Sequence, residues 1–599
     1  MSDADVVVIG SGGAGLRAAL AAHQRGARVL VLTKGRLESS GVTATACSDR
    51  MAFHATLEHT DPGGPDAWRY HAEDIYRIGG EVSDGPLARV LAQGAAEAFH
   101  FLERLGVPFA RGPDGRVLQF VTDGSRYARA CYTGPHTANH IHEALRGEVQ
   151  RRGIAVLENA MAADLALDAR GRVAGVHLVD GRTIGTAAVV LATGGAGQAY
   201  AVNVFPEGMT GDGYAMAYRA GADLVNLEFI QIGLSNPPTR LACSGSLMRA
   251  WPRLVNERGR EFLFDHFPAG TPPEEVYAVL FRKGAAWPVS REEPTHAIDV
   301  AVFSEIARGR RVALDFSRNP AGLDLARMDP ALWADHENLR HLRLTEPPLE
   351  GSPLARLSAI NRPIVEWLRE RGIDLAAGDH LEIAPACQHF QGGVRIDTRA
   401  ATTVPGLFAA GEAAGGQHGA NRPGGNALLD GQVFGRIAGN SAAELALASK
   451  PGPPVAAPPH PKTYGRRIDI REVRDRIRHL LGAHASVKRT AAGLRQALAE
   501  LAGLARGRWD ASRADPVLAA ETRNLALVAE MVLRAAAARD ESRGPHLRFA
   551  SDDATAPLPR RDPEWRRCLL VRCGADGGMA LRAVRPAEPD WERVPPAGA

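Results

Sequence analysis

Between Val6 and Gly15 the chain reads VVVIGSGGAG, an apolar run that breaks into closely spaced glycines, and this constrains how the N-terminus can fold. Val6 to Ile9 have the composition of a buried parallel strand, and Gly10, Gly12 and Gly15 keep the G-x-G-x-x-G spacing. Gly10 permits a tight turn, Gly12 lets backbone approach a pyrophosphate, and Gly15 lets the helix beginning near Leu16 pack on the strand. The N-terminus of that helix offers free N–H groups to a diphosphate. The next strand, ARVLVLTK, ends at Thr33 and Lys34, where such a fold meets the adenosine ribose. An acidic residue commonly stands there, and its absence argues against NAD.

Further along, periodicity predicts helices over about 65–105 and 140–153, and strands joined by hairpins from Ala162 to Ala188. AAVVLATGGAG (Ala187 to Gly197) is a second buried strand ending in glycines, a second contact for a dinucleotide. From Gly233 to Asp379 the composition turns irregular, as in an inserted domain, with a helix expected over Ile298 to Gly309. Arg395 to Glu412 then returns to the style of the first domain as one strand, followed by HGANRPGGNALLDGQVFGRIAG from His418 to Gly439. The prolines between Pro451 and Pro461 mark a linker, and Ile468 to Arg539 carries apolar residues at helical spacing.

The 599 residues exceed what one core can hold and predict several domains. With 71 basic and 68 acidic side chains, the net charge of +3 gives no electrostatic reason to expect nucleic acid. Six cysteines are scattered without a CxxC pair, so neither a zinc site nor an iron–sulfur cluster is expected, and no metal is assigned. No basic leader and no run of 18 apolar residues is present, so a cytoplasmic protein without a direct membrane span is expected.

With these pieces in order, the chain resembles the flavoprotein subunits of succinate dehydrogenase and fumarate reductase, and L-aspartate oxidase. The resemblance is carried by VVVIGSGGAGLRAAL, LATGGAGQAY, TGDGYAMAYRAGA, LVNERGREF, VPGLFAAGE, HGANRPGGNALLDGQVFGR and RDESRGPH. It implies an α/β fold: a Rossmann-like FAD-binding domain (1–232 and 384–446) interrupted by an α+β capping domain (233–383). A linker (447–462), a helical C-terminal domain (463–550) and a tail (551–599) follow. By the same resemblance FAD is surrounded by Gly10, Gly12, Gly13, Ala14, Gly15, Thr33, Lys34, Thr43, Ala192, Thr193, Gly194, Gly195, Asp212, Glu412, Asn426, Leu428 and Leu429. Glu412, just after a glycine-ended strand, suits a ribityl hydroxyl; a solvated helix cap is its other reading.

The substrate end departs from the family. The cap-domain Arg that delivers a proton falls at Val300, and a substrate-holding His falls at Gly233 of QIGLS. A second family His aligns with Gln388, whose neighbour is His389, and a Thr-Glu pair falls at Ser244 and Gly245. Arg422 survives, and its planar fork suits a carboxylate. The family's flavin-linking His aligns with Val42, so FAD is expected to be non-covalent. Arg422, His389 and His418 are the candidate catalytic residues; His296 and Asp299 are weaker candidates that read more readily as a solvated helix face. Arg240, Arg249 and Arg253 can mark an anionic ligand or be solvated or paired locally.

The expected function is an FAD-dependent oxidoreductase moving a hydride between flavin N5 and a small carboxylate-bearing substrate other than succinate or fumarate. The alternative is a flavoprotein subunit of a multi-subunit reductase or dehydrogenase with an iron–sulfur partner.

Overall fold

The computed structural model describes residues 4–46, 48, 51–122, 124–329, 332, 351–454, 467–510, 515–574 and 576–594. Strand β1 (Val6–Ile9) is buried along its whole length, as four consecutive β-branched residues require when both faces of a sheet are covered. Helix α1 (Gly13–Gln24), β2 (Val29–Leu32), β3 (Ala155–Leu157) and β4 (Ala188–Leu191) follow in chain order.

The inserted segment is more regular than its composition suggested. Strand β5 (Ile230–Asn236), helix α2 (His296–Ala307) and strand β6 (Leu381–Phe390) are its main elements, and β5 pairs antiparallel with β6. Both strands cross the expected domain boundaries at 232 and 383, so the cap is joined to the first domain by a continuous sheet rather than by loops.

Arg395 to Glu412, expected as one strand, holds only the end of the strand Gly393–Arg395 and then β7 (Leu407–Ala409). Between them the Asp397 carboxylate accepts from the N–H groups of Arg399 and Ala401, and this local turn prevails over extension. Strand β7 pairs with β4, and the parallel sheet runs β7-β4-β1-β2-β3.

Helix α3 (Asn426–Ala448) closes the split domain. Its glycines recur every fourth residue and lie on α1, so that a β-carbon at Gly439 would fall 2.2 Å from the Ala18 carbonyl oxygen, and one at Gly435 2.7 Å from that of Ala14. The expected linker from 455 onward lies outside the described residues. The helical region comprises α4 (Ile470–His484), α5 (Ala491–Arg506) and α6 (Pro516–Ala538). In the tail, Cys568–Cys573 pairs with both Leu224–Val225 and Met579–Val584, which stitches the C-terminus back into the first domain.

The RDESRGPH motif secures that return. Glu541 receives Arg539 at 3.0 Å and Arg543 at 2.7 Å, and Arg539 also reaches Glu228 at 2.9 Å. All four side chains are fully buried, so none can exchange its partner for water. Glu541→Gln leaves two buried guanidiniums short of charge and is expected to destabilise the fold by about 3–5 kcal/mol, read as a lower unfolding midpoint. A variant as stable as the parent would contradict this.

Candidate active site

The glycine loop after β1 is shaped by close backbone contact. Gly10 has φ +113°, and a β-carbon there would lie 2.2 Å from the Ala192 carbonyl oxygen; one at Gly15 would lie 1.9 Å from that of Gly10. Gly12 is different, since its nearest neighbour would be Thr43 Oγ1 at 3.9 Å, leaving that face open. Helix α1 has no acidic residue in its first turn and no side-chain cap. Its leading N–H groups therefore suit an anion, and the Gly13 N–H donates to Thr43 Oγ1 at 3.1 Å.

This loop opens onto a cavity of about 1040 Å³, at the upper end of the range for small-molecule sites. Its wall carries Gly10, Gly12, Gly13, Ala14, Thr33, Lys34, Thr43, Ala192, Thr193, Gly194, Asp212, Glu412 and Leu428. The buried hydroxyl of Thr193 has no partner there. An open backbone face at Gly12, the orphan hydroxyl of Thr193 and the carboxylate of Glu412 on one cavity wall fit a dinucleotide with a sugar chain.

Gly15, Gly195, Asn426 and Leu429 do not reach the wall. Gly15 packs the helix on the loop, and Gly195 donates its N–H to Glu412 Oε2 at 3.2 Å. Leu429 belongs to the core. The Asn426 amide, at the start of α3, contacts His54 Nδ1 at 2.9 Å and His71 Nε2 at 3.0 Å. Burial keeps both imidazoles neutral, so this cluster ties the helix N-terminus to two other segments and leaves backbone to face the cavity. Neither histidine was legible in the sequence as part of the site.

Glu412 is partly exposed on the cavity wall, accepts from the Phe390 N–H at 2.9 Å, and has its carboxyl pushed up to about 7 by desolvation. At the far end of the cavity, Lys34 Nζ meets Asp212 at 2.6 Å and Glu521 at 2.8 Å. Glu521, Arg474, Arg478, Val517 and Leu518 of the helical region line the same wall, and sequence reasoning missed all five.

At the other end the pairing of β5 with β6 steps from Gln231–His389 to Ile232–Cys387, leaving Gln388 as a bulge. The extra residue re-aims the strand, so His389 rather than Gln388 reaches the cavity, with Nε2 unpartnered. An imidazole is therefore retained where alignment indicated its loss. Burial, and then the charges of Arg422 and His418, hold His389 well below its ordinary pKa. The His418 ring packs edge-on to His389 at 6.0 Å, with Nε2 3.8 Å from Asp430. Arg422 and His418 stand behind His389 and not on the wall. The three catalytic candidates do come together.

The remaining departures are filled by packing. Val300 on α2 is 4 % exposed within the apolar core. A β-carbon at Gly233 would strike the Trp287 indole at 2.5 Å, and the indole N–H donates to Leu234 O at 2.8 Å. Asp299 is not on a solvated face: it pairs with Lys283 at 2.5 Å, both fully buried, and burial lifts its carboxyl to about 6. His296 Nδ1 bonds the Glu293 carbonyl at 2.6 Å. Of the three cap arginines singled out in the sequence, Arg253 pairs with Glu261 and Asp315, and Arg249 lies near the Phe281 ring. Arg240, exposed at the end of a turn with φ +58°, joins Pro237 as the cap's contribution to the wall among the described residues.

Comparison with known proteins agrees with this geometry. The FAD binding domain family matches residues 5–428, and the fumarate reductase flavoprotein C-term family matches 474–597. The chain is 31 % identical to a fumarate reductase (CoM/CoB) subunit of Methanothermobacter marburgensis, over 95 % of this chain and 97 % of that one. It is 32 % identical to the L-aspartate oxidase of Streptomyces coelicolor, over 97 % and 93 % respectively. Sdh1 of Mycobacterium smegmatis superposes with a TM-score of 0.72 at 29 % identity, covering 98 % of this chain and 94 % of that one. The chain is an FAD-dependent oxidoreductase and belongs to the family of succinate dehydrogenase and fumarate reductase flavoproteins and L-aspartate oxidases.

Proposed function

We propose that the chain transfers a hydride between FAD and a small carboxylate-bearing substrate that is neither succinate nor fumarate. The observation that carries this reading is the pairing of a dinucleotide cavity with a rewritten reacting end. His389 lines the cavity, its Nε2 buried without a partner, while Val300 and Trp287 have turned two family substrate positions into packing. Around His389 the side-chain oxygens of Gln231, Gln388, Gln391 and Gln417 are buried without partners. Unpartnered buried polar atoms are costly, but none of these four side chains reaches the cavity wall.

FAD, when bound, supplies hydride exchange at N5. The glycine loop and the N-terminus of α1 would take its diphosphate, Glu412 a ribityl hydroxyl, and the backbone at Ala427 and Leu428 the isoalloxazine edge. Arg422 would draw in the substrate carboxylate, which offsets the charge that depresses His389. His389, whose pKa is lowered first by burial and next by the charge of Arg422, would recover the part of its basicity that Arg422 suppresses, and its imidazole would take or return the proton at the reacting carbon.

A separate iron–sulfur protein as electron partner is a second reading. It is supported by relatives that are themselves subunits, among them the Methanothermobacter protein and the succinate dehydrogenase flavoprotein subunit of Rickettsia bellii. Co-purification of an iron–sulfur protein with the chain would bear it out, and full turnover by the chain alone with a soluble acceptor would remove it. No helix among the described residues is long and apolar enough to cross a membrane.

Purified with FAD and given a reduced viologen, the protein is expected to leave fumarate unreduced. Turnover that vanishes in Arg240→Ala would mean that the turn arginine of the cap has taken over proton delivery, and the exclusion would fall. Once a substrate is found, Arg422→Ala should lower kcat/KM for the acid by at least about 30-fold while hardly affecting the amide. Equal losses would remove the carboxylate assignment. Acid precipitation is expected to release the flavin into the supernatant, since Val42 offers no nucleophile; a yellow pellet would contradict this.

Glu412 predicts a pH dependence of cofactor binding. Its carboxyl is protonated below about 7 in the empty cavity, and the ionised form is the better acceptor of a hydroxyl, so FAD binding favours proton loss. Affinity should therefore rise with pH, by at most about tenfold per unit, and level off above 7. Glu412→Gln should flatten the profile; an unchanged profile in that variant would refute the assignment.

A further inference from the structure

A dinucleotide fold usually meets the adenosine ribose with a carboxylate at the end of its second strand, because a carboxylate accepts from the hydroxyls. Here β2 ends at Thr33 and Lys34, and an ammonium cannot accept a hydrogen bond. The structure brings two carboxylates to that place, Asp212 and Glu521, both in contact with Lys34 Nζ and both on the cavity wall.

The two are not equally available. Asp212 Oδ1 already accepts from Thr210 Oγ1 at 3.0 Å and from Asn524 Nδ2 at 2.8 Å, and Oδ2 takes Lys34. Each Glu521 oxygen has a single donor: Lys34 at 2.8 Å on Oε1 and Arg474 at 2.9 Å on Oε2. A carboxylate oxygen has two acceptor positions, so Glu521 keeps one on each oxygen. One turn earlier on α6, Val517 and Leu518 line the same wall and present apolar surface suited to a purine ring.

We propose that the helical C-terminal region completes the FAD site, with Glu521 accepting from an adenosine ribose hydroxyl and Val517 and Leu518 covering the adenine. Lys34 and Arg474 hold the carboxylate in place. Cofactor binding and docking of α6 on the first domain are then linked, and the acid that the sequence lacks after β2 arrives from a position 487 residues further along the chain.

The test compares flavins on the full-length apoprotein. In Glu521→Gln the affinity for FAD, read by flavin fluorescence quenching, should fall by about tenfold to a hundredfold, the range expected for a hydrogen bond to a charged group. Affinity for FMN, which has no adenosine, should stay within about twofold of the parent. Unchanged FAD affinity, or equal losses for FAD and FMN, would overturn the proposal. An FAD analogue whose adenosine ribose lacks both hydroxyls provides a check that needs no variant. It should bind the parent at least about tenfold more weakly than FAD, and the difference should disappear in Glu521→Gln, or in Glu521→Asp if the amide does not fold. Equal binding of analogue and FAD to the parent, or a penalty that persists in the variant, would likewise overturn it.

Discussion

The contact on which everything else depends is the one between α1 and α3. Gly435 and Gly439 place the backbone of one helix against Ala14 and Ala18 of the other, leaving no room for a side chain between them. This close approach brings the turn before α3, with Arg422 and the helix N-terminus, beside a glycine loop some 400 residues earlier. Without it the two halves of the first domain would not share a cavity, and the cap carried between them would have no fixed base.

Around that contact the molecule divides by how each part is specified. The phosphate loop was legible because backbone geometry dictates its residues: Gly10 must reach positive φ, and Gly15 must let a helix touch a carbonyl; Glu412 and Arg422 were named only through the family resemblance. The parallel sheet was legible for the same reason, since β1 is β-branched throughout. What was not legible depends on partners far away in the chain. Asn426 looked like a cofactor contact and instead braces two imidazoles; Asp299 looked solvated and instead meets Lys283 in the core. The bulge at Gln388 exists only in the pairing with β5, so alignment placed the loss of an imidazole one residue away from where His389 stands. Glu521 lies in a helix whose sequence is ordinary; the missing acid after β2 was the one available hint.

Chemically, the retained and the rewritten parts meet at β6. Its Phe390 N–H holds Glu412 on the cofactor side, while His389, next to it, carries an unpartnered nitrogen on the reacting side. At the reacting end Arg422 is the cation set behind the imidazole and Arg240 the one on the wall, while the four glutamines with unpartnered oxygens lie behind the wall. On the function proposed, such a site would take a substrate with one anionic group in preference to one with two carboxylates, because a second carboxylate would have to lose its water with the exposed Arg240 as the cap's cation on the wall among the described residues. The packing of Val300 and Trp287 points the same way, since both fill positions that hold or protonate dicarboxylates in the respiratory enzymes.

Anaerobic titration of the FAD-loaded protein with small organic acids, followed by bleaching of the oxidised flavin band, tests this account most directly. It predicts that an acid with a single carboxylate reduces the flavin while succinate leaves it oxidised. Rapid bleaching by succinate, or a flavin that dithionite reduces but no acid of the panel does, would contradict it.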